Sequence, residues 1–166
     1  MKQPYYQMSD GMGMPAPIFW YASLPQHVKR LYDYKGTFSQ QPALMVILAE
    51  VVCEAFTVWA LEELFKKKKV EDLWGVLSAG KSKMRRLQDI YNDDVNKMYT
   101  ALSGDPITQA SFWQKLQEHN TRRNALVHPD VNAPTHATIP SPEEAAESFK
   151  AVEDYIQHVH GILKSI

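Results

Sequence analysis

The chain has 166 residues, 45% of them apolar, which is enough for one ordinary core and too little for a separate cofactor-bearing domain. Its 18 Lys and Arg nearly balance its 19 Asp and Glu, so any preference for nucleic acid or membrane must come from a local patch. Cys53 is the only cysteine, which excludes a disulfide scaffold and a multi-thiolate zinc site and suits a reducing, cytoplasmic compartment.

Residues 1–22 mix Met, Gly and Pro with Tyr5, Tyr6, Phe19, Trp20 and Tyr21, and read as an irregular aromatic arm docked on the body or on a second subunit. No continuous apolar run separates Lys2 from Pro15 and Pro17, so no export signal is expected. Residues 23–166 read as a single helical domain. Ser23 is placed to cap a short helix running to Gly36. Pro42 suits the first turn of a long helix to about Phe65, apolar nearly all round and therefore expected at the centre. Glu50 and Glu54 interrupt its apolar stretch, which argues for a core helix over a membrane span.

That helix runs into Lys66, Lys67, Lys68 and Lys69, cations at the negative end of a helix dipole. A short amphipathic piece around 71–77 follows. Beyond Gly80, Met84, Leu87, Tyr91, Val95, Met98 and Leu102 recur at three- and four-residue steps, predicting one helix over 82–102 closed by Gly104. Asp105 and Pro106 read as cap and first turn of a helix to about Val127. Ser141, Pro142, Glu143 and Glu144 form a capping box, and Phe149, Val152, Ile156, Val159, Leu163 and Ile166 give the last helix one apolar face. No strand pattern, Gly-rich phosphate loop or internal repeat is visible, so the expected class is all-α, a bundle of about four to five helices.

The segment richest in chemistry is HNTRRNALVHPD, His119 to Asp130. On a helical wheel Phe112, Leu116, His119, Arg123, Leu126 and Val127 share a stripe, so Arg123 points inward and needs an anionic partner. A buried salt bridge to Glu50 or Glu54 is one such partner, and a ligand phosphate is another. Arg122 lies about 100° away and reaches toward solvent. His128 precedes Pro129, whose ring disfavours helix at the preceding residue, so the chain is expected to leave the helix there.

Arg123, Asn124, Ala125, Leu126, Val127 and His128 match the R-N-x-x-x-H form of the motif of HEPN domains, and the chain over residues 42–166 resembles that family of all-α bundles. The resemblance implies a metal-independent endoribonuclease, often a toxin or phage-defence effector, in which a homodimer brings two motifs into one cleft. It further implies 2′,3′-cyclic phosphate and 5′-hydroxyl products, no cofactor, and a possible cognate antitoxin or nucleotidyltransferase as partner. The residue types suit that chemistry. An imidazole such as that of His128 is the side-chain type suited to moving protons, and Arg123 offers a planar fork to two phosphate oxygens. Asn124 can orient the imidazole or donate to the phosphate.

Arg122 and His119 complete the candidate set as substrate-binding residues. His119 is also readable as a core histidine bonded to a carboxylate. His158 and His160 fall on opposite sides of the last helix, and His27 and His136 have no partners at ligand spacing, so no metal site is expected. Lys66–Lys69 with Lys81, Lys83, Arg85 and Arg86 are candidates for RNA backbone contact or plain solvated surface, and 129–141 for a crossover beside the site. The alternatives to a nuclease are a HEPN-like binding module without activity and an architectural bundle in which Arg123 is an internal ion pair.

Overall fold

The computed structural model describes residues 19–80, 86–128 and 139–166. Expectations for the arm before Phe19, for Met84, Lys81, Lys83 and Arg85, and for His136 and most of the 129–141 crossover lie outside the described residues. Among those described, all regular structure is helical: α1 (Phe19–Ser23), α2 (Gln26–Asp33), α3 (Pro42–Lys67), α4 (Glu71–Ser78), α5 (Asp93–Ser103), a 3₁₀ turn (Ile107–Gln109), α6 (Trp113–Val127) and α7 (Pro142–Ser165). The fold is all-α. The four long helices α3, α5, α6 and α7 form the body.

The organising element is α3, which touches α2, α4, α5, α6 and α7. Pro42 sits in its first turn, where a missing N–H costs nothing, and its apolar residues then run almost without interruption. Val46, Ala49, Val52, Phe56 and Leu64 are fully buried in one core with Phe149, Val152, Ile156 and Val159 of α7, the helix that α3 packs against. The Phe56 and Tyr155 rings meet edge to face at 5.5 Å. Beneath them the Thr57 hydroxyl donates to the Cys53 carbonyl at 2.8 Å and accepts from the Tyr155 hydroxyl at 2.9 Å, so this polar pair is satisfied where water cannot reach. One face of α3 is not enclosed: Leu44, Ile47 and Val51 are exposed. Their spacing of three and four puts them in one outward stripe.

The capping box on α7 forms as expected, with Ser141 Oγ accepting from the Glu144 amide and Glu144 accepting from the Ser141 amide. Gly104, at φ 78°, ends α5 in the left-handed region that favours glycine. The end of α3 uses the same device with a less suitable residue. Val70 N–H bonds the Phe65 carbonyl, Lys69 N–H bonds the Lys66 carbonyl, and Lys69 takes φ 58°.

Four boundaries differ from the sequence expectation. Residues 19–23, expected to be irregular, make a helical turn, with Tyr21 packed against Tyr32. Ser23 ends that turn and does not cap α2. The cap is Pro25, because Leu24 before it is driven out of the helical region, and α2 stops at Asp33. The expected helix over 82–102 is interrupted before Asp93: Asp89 Oδ1 accepts from the Tyr91 amide, and Asn92 Oδ1 accepts from the Asp94 amide and starts α5 afresh. Asp105 does not cap α6. Its carboxylate is taken by Tyr99 Oη at 2.9 Å and His158 Nε2 at 2.8 Å, which leaves a 3₁₀ turn before α6 starts at Trp113.

Candidate active site

Helix α6 carries the motif and lies against α3 and α7. Its inward stripe follows the wheel at first, with Phe112, Leu116 and His119 buried, then opens outward: Arg123 and Leu126 are half-buried and Val127 is exposed. The helix tapers out of the core toward its C-terminal end. Arg123 therefore stands at the boundary between interior and solvent, with 26% of its side chain accessible.

Its surroundings are anionic. Glu50 and Glu54, one turn apart on α3, both face the guanidinium, with Nε 4.0 Å from Glu50 Oε1 and Nη2 3.6 Å from Glu54 Oε1. The third edge of the fork, Nη1, donates to Asn124 Oδ1 at 2.8 Å. Asn124 in turn donates from Nδ2 to Asn120 Oδ1 at 3.3 Å. The ion pair to α3 that the sequence allowed is present, and the Arg123 side chain remains partly accessible.

Behind Arg123, His119 is fully buried, and its Nε2 donates to Glu50 Oε2 at 3.1 Å. Its Nδ1 is buried and has no hydrogen-bond partner among the described residues. One carboxylate thus spans His119 and Arg123 with its two oxygens. His119 is sealed from solvent and reaches the Arg123 surroundings through Glu50, so the exposed placement expected of a substrate-binding residue is not found for it. Arg122 turns to α7 instead, donating from Nη2 to Glu147 Oε2 at 3.0 Å and from Nη1 to Ser148 Oγ at 3.4 Å. The two neighbouring arginines do have different surroundings, and Arg122 is a tie between helices.

His128 is the C-cap of α6, at φ −125° and ψ 65°, with its amide still bonded to the Asn124 carbonyl at 2.8 Å. The chain leaves the helix at this residue. The imidazole is exposed, and among the described residues it makes no hydrogen bond. Asn124 is turned to Arg123 and Asn120, so it does not orient the imidazole. The geometry therefore brings together Arg123, Asn124, Asn120, Glu50, Glu54 and His119, and leaves His128 exposed at the end of the same helix. Asn120 is the residue of this group that sequence reasoning missed. Its position four before Asn124 on α6 was the available signal.

Cys53 lies behind the same wall. Burial first, then the charges of Glu50 and Glu54, push its thiol well above its ordinary value, so it is no nucleophile. Among the described residues no group of three His, Cys, Asp or Glu is placed to hold a metal ion. In the cationic run, Lys66 is engaged by Glu62 and Glu63, while Lys67, Lys68 and Lys69 are exposed. A groove of about 890 Å³ runs between α6 and α7, lined among others by Phe112, Lys115, Lys150 and His158, and no residue of the motif lines it.

No family model, curated protein or solved structure matches the chain.

Proposed function

We propose that the protein is a metal-independent endoribonuclease of HEPN type that works as a homodimer, with Arg123, Asn124 and His128 of both copies around one phosphodiester. The observation that carries this reading is the placement of Arg123: its guanidinium faces two carboxylates and Asn124 while 26% of the side chain stays accessible, on the helix that ends in an exposed His128 with no hydrogen bond among the described residues.

RNA supplies its own nucleophile. One His128 takes the proton of the 2′-hydroxyl as that oxygen bonds to phosphorus, and the partner's His128 gives a proton to the departing 5′-oxygen. The products are a 2′,3′-cyclic phosphate and a 5′-hydroxyl. Arg123 stabilises the charge that gathers on the equatorial phosphate oxygens. A single copy places one exposed imidazole, that of His128, at the end of α6, which is why the reading needs two copies. The exposed stripe Leu44, Ile47 and Val51 supports this, because it runs along α3 toward Glu54 and the Arg123 site. A second copy on that stripe would bury it and bring the two sites together.

The test is cleavage of end-labelled RNA by the wild-type protein, Arg123→Ala and His128→Ala, with EDTA present. Each substitution is expected to lower the rate on the order of 100-fold or more. Equal cleavage by all three proteins would remove the proposal. A mixture of the two inactive variants should regain activity if the sites are composite.

A second reading has its own support: Glu50 and Glu54 already neutralise Arg123, as in a HEPN-like module that binds a nucleotide, nucleic acid or protein partner without cutting. Retained RNA affinity with no cleavage in the same assay would select it. A cytoplasmic setting, a toxin or defence role and control by an antitoxin or nucleotidyltransferase follow only if the nuclease reading holds.

A further inference from the structure

The two carboxylates at Arg123 are not equivalent. Glu50 has 8% of its side chain exposed, and its second oxygen is held by His119, itself sealed from water. Moving Glu50 aside would strand a buried carboxylate and a buried ring N–H together, so it is fixed. Glu54 sits one turn further along α3 with 32% of its side chain exposed, 3.6 Å from Nη2. An ion pair that water can reach is worth little, so a phosphate can compete with Glu54 for the guanidinium. Asn124, exposed on the third edge, can rotate to present its amide nitrogen where its oxygen now sits.

We propose that Glu54 occupies the place of a phosphate at Arg123 and gates the site: a phosphodiester must displace Glu54, while Glu50, pinned by His119, keeps the guanidinium aimed. Glu50 is thus a positioning residue and Glu54 an autoinhibitory one. The proposal rests on the phosphate-binding reading of Arg123 given above. It makes the two neighbouring acids act with opposite sign, which simple charge removal does not.

The experiment titrates inorganic phosphate into the full-length protein at low salt, following the Arg123 Nε–Hε resonance by NMR. Wild type is compared with Glu54→Gln, Glu50→Gln and Glu147→Gln. The last removes the same charge beside Arg122 and is the control for net charge. Glu54→Gln is expected to bind phosphate on the order of fivefold more tightly than Glu147→Gln, and Glu50→Gln more weakly than wild type. If Glu50→Gln fails to fold by circular dichroism, His119→Leu, which removes the donor that holds Glu50 from behind, takes its place with the same expected weakening. Phosphate affinity in Glu54→Gln no tighter than in Glu147→Gln overturns the gate, as does tighter binding in the Glu50 or His119 variant.

Cleavage of labelled RNA by the same proteins separates this proposal from the one beneath it. Tighter phosphate binding in Glu54→Gln without any cleavage upholds the gate and removes the nuclease. Arg123-dependent cleavage with unchanged phosphate affinity in Glu54→Gln removes the gate alone.

Discussion

Arg122 and Arg123 differ by one position and one rotation of about 100°, and that rotation decides what each can do. Arg122 crosses to Glu147 on α7, whereas Arg123 turns toward α3 and finds Glu50 and Glu54. The wheel made the inward direction of Arg123 legible. It could not say that Glu50 would also hold His119, because which side chains meet across two helices depends on their axial offset, which no single helix encodes. The His119–Glu50 pair is fully enclosed on one side and nearly so on the other. Substituting His119→Leu leaves the buried carboxylate with only the Arg123 guanidinium, and should lower unfolding free energy by about 3 kcal/mol in urea titration. Adding Glu50→Leu to it should recover part of that loss, so the double variant is expected to be less destabilised than the sum of the singles. A strictly additive cycle would show that the two side chains do not interact.

Helices announced themselves where local chemistry was complete, as in the Ser141 box and the proline at the head of α3. Replacing Ser141 by Ala should cost about 1 kcal/mol, seen as a lowered urea midpoint with unchanged slope. The break before α5 was not legible for a physical reason. Leu87, Tyr91, Val95, Met98 and Leu102 still pack on the core across the interruption, so the apolar spacing runs on while Asp89 and Asn92 divert the backbone. Asp105 misled in the opposite way: its capping pattern is genuine, but Tyr99 and His158 claim the carboxylate from a distance in sequence. Lys69 gives an element-scale prediction of opposite sign. It closes α3 in the left-handed region at φ 58°, where a Cβ is unfavourable. Lys69→Gly is therefore expected to stabilise the protein by about 0.5–1 kcal/mol, raising its thermal midpoint.

For the whole molecule, the all-α class followed from pattern alone, but the outward stripe on α3 did not. A helix apolar nearly all round reads as enclosed, and only packing shows that Leu44, Ile47 and Val51 remain uncovered. The core also sets a limit in alkali. Burial, more than the neighbouring charges, pushes Cys53, Tyr91, Tyr99 and Tyr155 above their ordinary values of 9.0 and 10.0. As pH rises past those values the unfolded chain releases these protons while the folded one retains them, so the unfolded state binds fewer and stability falls. The urea midpoint should hold steady up to about pH 9 and drop progressively above it, and a flat profile to pH 11 would contradict this account.

Cys53, the chain's lone thiol, is sealed among α3 side chains at 1% exposure. A second cysteine introduced on the surface would thus be the one handle open to a maleimide dye or spin label in the native protein, with no need to remove the original. Placed at exposed Ala125 beside the motif, such a tag turns the distance between two copies in solution into a direct spectroscopic reading.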